Sequence, residues 1–409
     1  MNTDHTQRHE IAREFPLEPS EPLYEVADIF QHYGSDYRAN HQPTPQQCKA
    51  MKAIERCRTT ALGAHVAVCD HCTNIEVSYN SCRNRHCPKC RGSQRSAWVD
   101  ARELELLPIQ YFHIVFTLPH TLLDLARYNP ALIDSLLMQT AAATLQAFAQ
   151  QRWDAQLGII MVLHTWGQTL NEHHHVHCIV TGGALTNDGR RFIQAPRNFL
   201  FPVKALSPVF REKFIAALDS ARKTGTLQLS GQPDLVEDAN WQVWRRTLYQ
   251  HQWVVYAKQP FADPQHLIRY LGRYVNRVAI ANHRIQSIDN GTIRFDYHDN
   301  RSDTDQTMAL TADEFIRRFL NHVLPSGFRR VRYYGFLVNS LRKAALTRCR
   351  ELIGLPDPDK PYIADLDAFL TKLGYDPGLC AVCGQGTMKV VYSVFSFHDP
   401  PACYQRAVT

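Results

Sequence analysis

His173-His-His-Val-His177, running straight into Cys178-Ile-Val180, is the stretch whose reading decides the fold of this chain. Histidines packed against an apolar run read as a β-strand with a polar end. Side chains in a strand alternate between faces, so His175 and His177 point one way and Val176 the other. Two imidazoles at that spacing can grip one metal ion, and a third ligand is expected from the neighbouring strand. Residues 158–170 read as that neighbour, joined to a strand over 175–181 through the polar turn Asn171-Glu172. Running back through the turn, Gln168 and His164 have the required parity. Gln168, nearer the turn, is the preferred third ligand and His164 the reserve. A lone His-x-His is usually a solvated polar face; four histidines in five residues favour the metal.

Working outward, Tyr111-Phe-His-Ile-Val-Phe-Thr-Leu118 is β-branched and aromatic and is stopped by Pro119, which predicts a buried strand. Residues 120–151 read as helix with a break at Asn129-Pro130, residues 253–257 as another strand, and residues 263–280 as a helix with Pro264 in its first turn. Strands and helices mix without a βαβ rhythm. The expected fold class is therefore α+β, built on an antiparallel sheet.

The helix over 263–280 carries a second constellation. Residues four apart share a face, so Ile268, Leu271, Val275 and Val278 form a core stripe. His266, Tyr270 and Tyr274 form a second stripe, and Arg269, Arg273 and Arg277 a third beside it. A free tyrosine, with a pKa of about 10, is a poor nucleophile at neutral pH. Arginines and a metal ion nearby would favour the phenolate and hold a phosphate for attack. Tyr-x-x-x-Tyr alone usually means packing; its weight comes from the histidine strand upstream.

Twelve cysteines occur in the chain, seven of them between residues 21 and 105. Residues 1–20 carry no apolar signal-peptide core, which predicts a cytoplasmic protein and metal ligation rather than disulfides. Cys69-x₂-Cys72 and Cys87-x₂-Cys90, fourteen residues apart, read as a four-thiolate zinc ribbon. Cys57, His65, Cys82 and His86 offer a second zinc site, the alternative being that some of them only pack. Cys380-x₂-Cys383 with His398 and Cys403 is a further candidate zinc knuckle in the tail. Arg83, Arg85, Lys89, Arg91 and Arg95 lie in or just after the first cluster with no acidic residue among them, which predicts phosphate contact. The overall excess of 45 Lys+Arg over 39 Asp+Glu is mild and only weakly favours a nucleic-acid partner. The apolar stretch over 157–163 is far too short to span a bilayer, so no membrane partner is expected. Composition divides the chain into 21–105, Cys-rich and basic, read as a zinc-binding DNA-contact domain; 106–345, read as a catalytic domain from the histidine strand and tyrosine helix it holds; and 346–409, a Pro-rich linker and small tail.

Phe116-Thr-Leu-Pro119, His175-Val-His177 and Tyr270-x-x-x-Tyr274 occur in the order of the three motifs of HUH endonucleases. The detailed resemblance is narrower. His164-Thr-Trp-Gly-Gln-Thr-Leu170, His175-Val-His-Cys-Ile-Val-Thr-Gly-Gly183, Tyr256-Ala-Lys-Gln-Pro-Phe261, Tyr270-Leu-Gly-Arg-Tyr274 with Arg277-Val-Ala-Ile280, and Glu314-Phe-Ile-Arg-Arg-Phe319 resemble the two-tyrosine rolling-circle insertion-sequence transposases of the IS91 family. Tyr79-Asn-Ser-Cys-Arg-Asn-Arg-His-Cys-Pro-Lys-Cys90 resembles that family's zinc-binding domain. The resemblance spans roughly residues 25–350. It implies an HUH-type central antiparallel sheet flanked by helices and preceded by a small zinc-ribbon-like domain. It also implies a DNA strand transferase and single-strand endonuclease, with Mg or Mn on His175 and His177 and a 5′-phosphotyrosine intermediate on Tyr270 or Tyr274. Structural Zn, single-stranded DNA and transposon ends as partners, and a place at the bacterial nucleoid follow from it. No G-x₄-G-K-[ST] loop is present, so strand displacement would fall to a host helicase. The rivals are a rolling-circle replication initiator or relaxase, and, from another class, a non-catalytic zinc-ribbon DNA-binding protein.

Overall fold

The computed structural model describes residues 22–90, 105–261, 278–299, 302–355, 376 and 378–395. Among these residues are eight α-helices and twelve strands arranged in three antiparallel sheets, an α+β architecture. The central sheet has the order β11 (Val331–Gly335), β4 (Ala155–Trp166), β5 (Glu172–Thr186), β3 (Tyr111–Thr117), β7 (Val255–Phe261), and β6 (Phe192–Gln194) pairs with the far end of β5.

Alternation along these strands separates two faces. Val176, Cys178 and Val180 of β5 join Ile159, Met161 and Leu163 of β4 and Phe112, Ile114 and Phe116 of β3 on one face. The helices α4 (Pro130–Trp153) and α5 (Val203–Lys223) cover it with Leu137, Ala141, Leu145, Phe210 and Phe214. The other face is apolar at one end, where Tyr111, Ile160 and Ile179 pack with Phe336 and Leu337 after β11 and with Leu346 of α8 (Arg342–Leu352). Gly335 keeps β11 tight on β4, because at its φ of +62° a Cβ would stand 1.8 Å from the Leu157 carbonyl oxygen. Further along, the same face turns to histidine.

The break expected at Asn129-Pro130 separates α3 (Leu123–Tyr128) from α4. Pro130 suits the first helical turn, and the Asn129 side chain ties the corner by donating to Leu125 O and Gln228 O and accepting from Gln228 N. The hairpin between β4 and β5 differs from the expected turn at Asn171-Glu172. β4 ends at Trp166, the turn occupies residues 167–171 with Leu170 at φ 61°, and Glu172 already belongs to β5.

The N-terminal helices α1 (Val26–Asn40) and α2 (Pro45–Glu55) share a core with the small sheet β8 (Ile285–Asp289), β9 (Thr292–Asp299), β10 (Thr304–Thr311) and with α7 (Ala312–Leu320). Phe30 meets Phe319 edge-on at 5.3 Å inside that core. Thr44 and Gln47 form a capping box that starts α2. The third sheet, β12 (Met388–Phe395), β1 (Gly63–Cys69), β2 (Ile75–Tyr79), joins the tail to the N-terminal segment. No helix among the described residues is long and apolar enough to cross a membrane.

Candidate functional site

The register of the central sheet assembles a three-histidine group. His175 lies directly opposite His164 of β4 and Thr117 of β3, and His177 lies opposite Val162 and Val115. One ligand nitrogen from each of His164, His175 and His177 falls within 4.8 Å of the others. Nitrogens at about 2.1 Å from a shared ion stand roughly 3–3.5 Å apart, so small side-chain rotations would bring the three onto one metal. The strand pairing favours His164, the reserve candidate, over the preferred Gln168 as the third member of the group. Gln168 lies beyond the end of β4 in the 167–171 turn, with its carbonyl taken by Arg284, whereas His164 is still in the strand and squarely paired.

Second contacts aim these rings. His175 Nδ1–H donates to the His173 carbonyl at 2.7 Å, so Nε2 is the nitrogen that could hold a metal. His113 on β3, fully buried, places Nε2 2.8 Å from Nδ1 of His177. In the tautomer where His177 Nδ1–H donates, its Nε2 carries the lone pair that could bind a metal. His164 stacks on Trp166 at 4.8 Å. On the opposite face His174 pairs with the buried Asp134 of α4 at 2.7 Å. Burial pulls the His174 pKa down, but the Asp134 carboxylate outweighs it and the net shift is upward. His113 and Asp134 were not picked out from sequence. The one available signal was a lone histidine of the right parity inside the apolar strand 111–117.

The cysteines form two groups that differ from the expected ribbon. Cys57, Cys82, Cys87 and Cys90 make one, and Cys69, Cys72, Cys380 and Cys383 the other. Four sulfurs at about 2.3 Å from one zinc ion stand about 3.8 Å apart; Cys57–Cys90 and Cys82–Cys90 separations are 3.4 and 3.6 Å. The expected set Cys69, Cys72, Cys87, Cys90 is therefore split, because β1 and β2 carry the Cys69 knuckle to the far end of a hairpin from the Cys87 knuckle. The expected pairing of Cys57 and Cys82 with His65 and His86 is corrected too. His65 Nδ1 contacts Ser393 Oγ at 2.8 Å, and His86 Nε2 accepts from Arg85 Nε. The tail knuckle takes Cys69 and Cys72 as partners; His398 and Cys403 lie outside the described residues. Hydrogen bonds from Cys82 and Cys87 lower the Cys57 pKa to about 7, and the Gly386 and Gln385 N–H groups lower that of Cys383 to about 6. Within the first cluster the Cys57 thiol pushes Cys82 and Cys87 the other way, upward.

The basic run divides in the same way. Arg83 is exposed. Arg85 is half-buried and donates to the carbonyls of Leu324, Pro325 and Phe328 at 2.7–3.0 Å, which makes it a brace between the N-terminal segment and the loop after α7. Lys89 is paired with Glu25. Tyr270, Tyr274, Arg269, Arg273, Arg277, Arg91 and Arg95 lie outside the described residues.

Comparison with known proteins gives two matching families. One, described as a putative transposase, matches residues 158–345 and thus contains the histidine strands. The other, a transposase zinc-binding domain, matches residues 29–118. A putative transposase, y4qJ, of Sinorhizobium fredii is 42% identical over 394 residues, covering 94% of this chain and 98% of that protein. The transposase for insertion sequence element IS801 of Pseudomonas savastanoi pv. phaseolicola is 31% identical over 339 residues, 80% of this chain and 79% of that protein. No solved structure matches the chain. The sheet, the cysteine clusters and these matches define a transposase with an N-terminal zinc-binding domain, a protein that transfers DNA strands for a transposable element. The chain belongs to the IS91 family of transposases.

Proposed function

We propose that this transposase cuts and rejoins single DNA strands through a 5′-phosphotyrosine intermediate, and so moves an insertion sequence by rolling-circle transposition. The observation that carries the reading is the convergence of His164, His175 and His177 on one face of adjacent strands. A non-catalytic DNA-binding protein has no use for that group. The three imidazoles fit a divalent ion, and an all-nitrogen set tilts the choice from Mg²⁺ toward Mn²⁺. When bound, such an ion would polarise the scissile phosphate.

The phenolate of Tyr270 or Tyr274 attacks phosphorus. A P–O bond to tyrosine forms, the P–O3′ bond breaks, and the departing 3′ oxygen takes up a proton as a free 3′-OH. Rejoining runs the same exchange in reverse with a 3′-OH as nucleophile, and the phosphodiester energy held on tyrosine makes ATP unnecessary. Two tyrosines allow donor and target strands to be held in turn. Residues 106–345 carry this chemistry in the proposal, and exposed Arg83 with the arginines of 263–280 contacts the DNA backbone at the transposon ends. A host helicase supplies strand separation at the nucleoid.

The test is cleavage of a single-stranded oligonucleotide with Mn²⁺. His175→Ala and His177→Ala should abolish cleavage and leave duplex binding intact. Tyr270→Phe/Tyr274→Phe should form no covalent protein–DNA adduct. An adduct in that double variant, mapped by mass spectrometry to another residue, would sink the tyrosine mechanism.

A further inference from the structure

Two cysteine knuckles from opposite ends of the chain meet face to face. In the first, the His71 and Cys72 N–H groups donate to Cys69 Sγ at 3.4 and 3.5 Å, and Thr73 follows with φ of 60°. In the second, Gly386 N–H donates to Cys383 Sγ at 3.4 Å, and Gly384 follows Cys383 with φ of 64°. Both are tight turns whose amide groups point at sulfur and stabilise thiolate. Cys69 lies 3.7 Å from Cys383 and Cys72 lies 3.7 Å from Cys380, across 314 and 308 residues of chain. These separations are far beyond the disulfide length of about 2.05 Å and match the edge of about 3.8 Å expected of a zinc–thiolate tetrahedron.

The approach of the two knuckles is built. A Cβ on Gly386 would stand 2.4 Å from Cys69 Sγ, so only glycine allows the tail this close. Thr387 N–H donates to Asp70 Oδ1 at 2.8 Å, and Asp70 N–H donates to Thr387 O at 3.2 Å. From there β12 pairs with β1, from Cys69 opposite Met388 to Gly63 opposite Phe395. Yet Val390, Val391 and Tyr392 of β12 are 62, 60 and 64% exposed. A strand with its apolar side chains in water has little burial to hold it, and a metal ion is the usual substitute.

We propose that Cys69, Cys72, Cys380 and Cys383 bind a second structural zinc ion, separate from the ion of Cys57, Cys82, Cys87 and Cys90, which staples the tail onto the N-terminal sheet. Half of its ligands lie beyond both family matches, which end at residues 118 and 345. The zinc-binding module is thereby completed by the C-terminal end of the chain.

Cobalt reconstitution of the full-length protein tests this. Thiolate-to-cobalt charge transfer reports cysteine ligation only, so the three-histidine group does not contribute to it. The intact chain should show the absorbance of eight bound thiolates, and Cys380→Ser/Cys383→Ser should lose half of it with the far-ultraviolet spectrum retained. The same variant should be cut by trypsin at least ten times faster after residue 355. An intact chain carrying only four bound thiolates would overturn the proposal without any variant, as would full charge-transfer intensity in the double variant.

Discussion

His164 and Gln168 compete for one role, and their substitution separates them. His164→Ala should lower Mn²⁺-dependent cleavage of a single-stranded oligonucleotide about 100-fold or more, while Gln168→Ala should stay within a few-fold of the parent. Equal loss in both would return Gln168 to the metal. His113 acts one contact further out. His113→Ala should raise the Mn²⁺ concentration for half-maximal cleavage by about 10–100-fold; an unchanged value would show that the 2.8 Å contact to His177 does not orient it. His322 marks the acid limit of the fold. It is fully buried, facing Leu170 O at 2.9 Å through Nε2 and Thr165 Oγ1 at 3.3 Å through Nδ1, and burial lowers its pKa from 6.5 to about 4. The unfolded chain binds this proton more readily, so stability is fully present above pH 6.5 and drains away as pH falls toward 4. The loss is about 3 kcal/mol from this group. His322→Gln, which can keep both hydrogen bonds, should flatten urea-unfolding stability across that window; an undiminished slope would place the effect elsewhere.

Among elements, the joint between α1 and α7 ties the N-terminal helices to the later part of the chain. Phe30 and Phe319 are both buried there and cross at 88°. Phe319→Ala should cost about 3–5 kcal/mol in urea unfolding. The double variant with Phe30→Ala should cost about 1 kcal/mol less than the sum of the single changes, because the second change acts on a contact already lost. Strict additivity would mean the rings touch without coupling. The β4–β5 hairpin shows how an element's end decides chemistry. His164 and Gln168 share the parity that faces His175, since they differ by four residues. The length of the turn places them differently, His164 in the strand and Gln168 beyond it. Gly167 N–H donates to Asn171 O, closing the hairpin there, and Gln168 is left inside the turn.

Over the whole molecule, DNA contact and internal bracing draw on the same basic run. Arg83→Ala should reduce the slope of log binding constant against log salt by roughly one unit, as expected for one lost phosphate contact. Arg85→Ala should leave that slope unchanged and lower stability by about 3 kcal/mol, because three carbonyls lose a charged donor. A change of slope in Arg85→Ala would restore it to the DNA surface. The tail has the same double character. By sequence position it is an appendage, and in the structure it supplies a strand and two thiols to the sheet of β1 and β2.

What the sequence by itself determined was local. Period-two alternation put His175 and His177 on one face, Pro119 and Asn129-Pro130 marked where the strand and the helix stop, and CxxC spacing announced knuckles, because each depends on neighbours within a few residues. The family, too, was legible in long and chemically unusual motifs. Only the tertiary structure decided which knuckle faces which, since any two CxxC turns have equivalent local geometry and their pairing depends on strands brought together across more than 300 residues. It likewise decided that Arg85 turns inward, because the carbonyls of Leu324, Pro325 and Phe328 are distant in sequence and adjacent only after α7 has packed on α1.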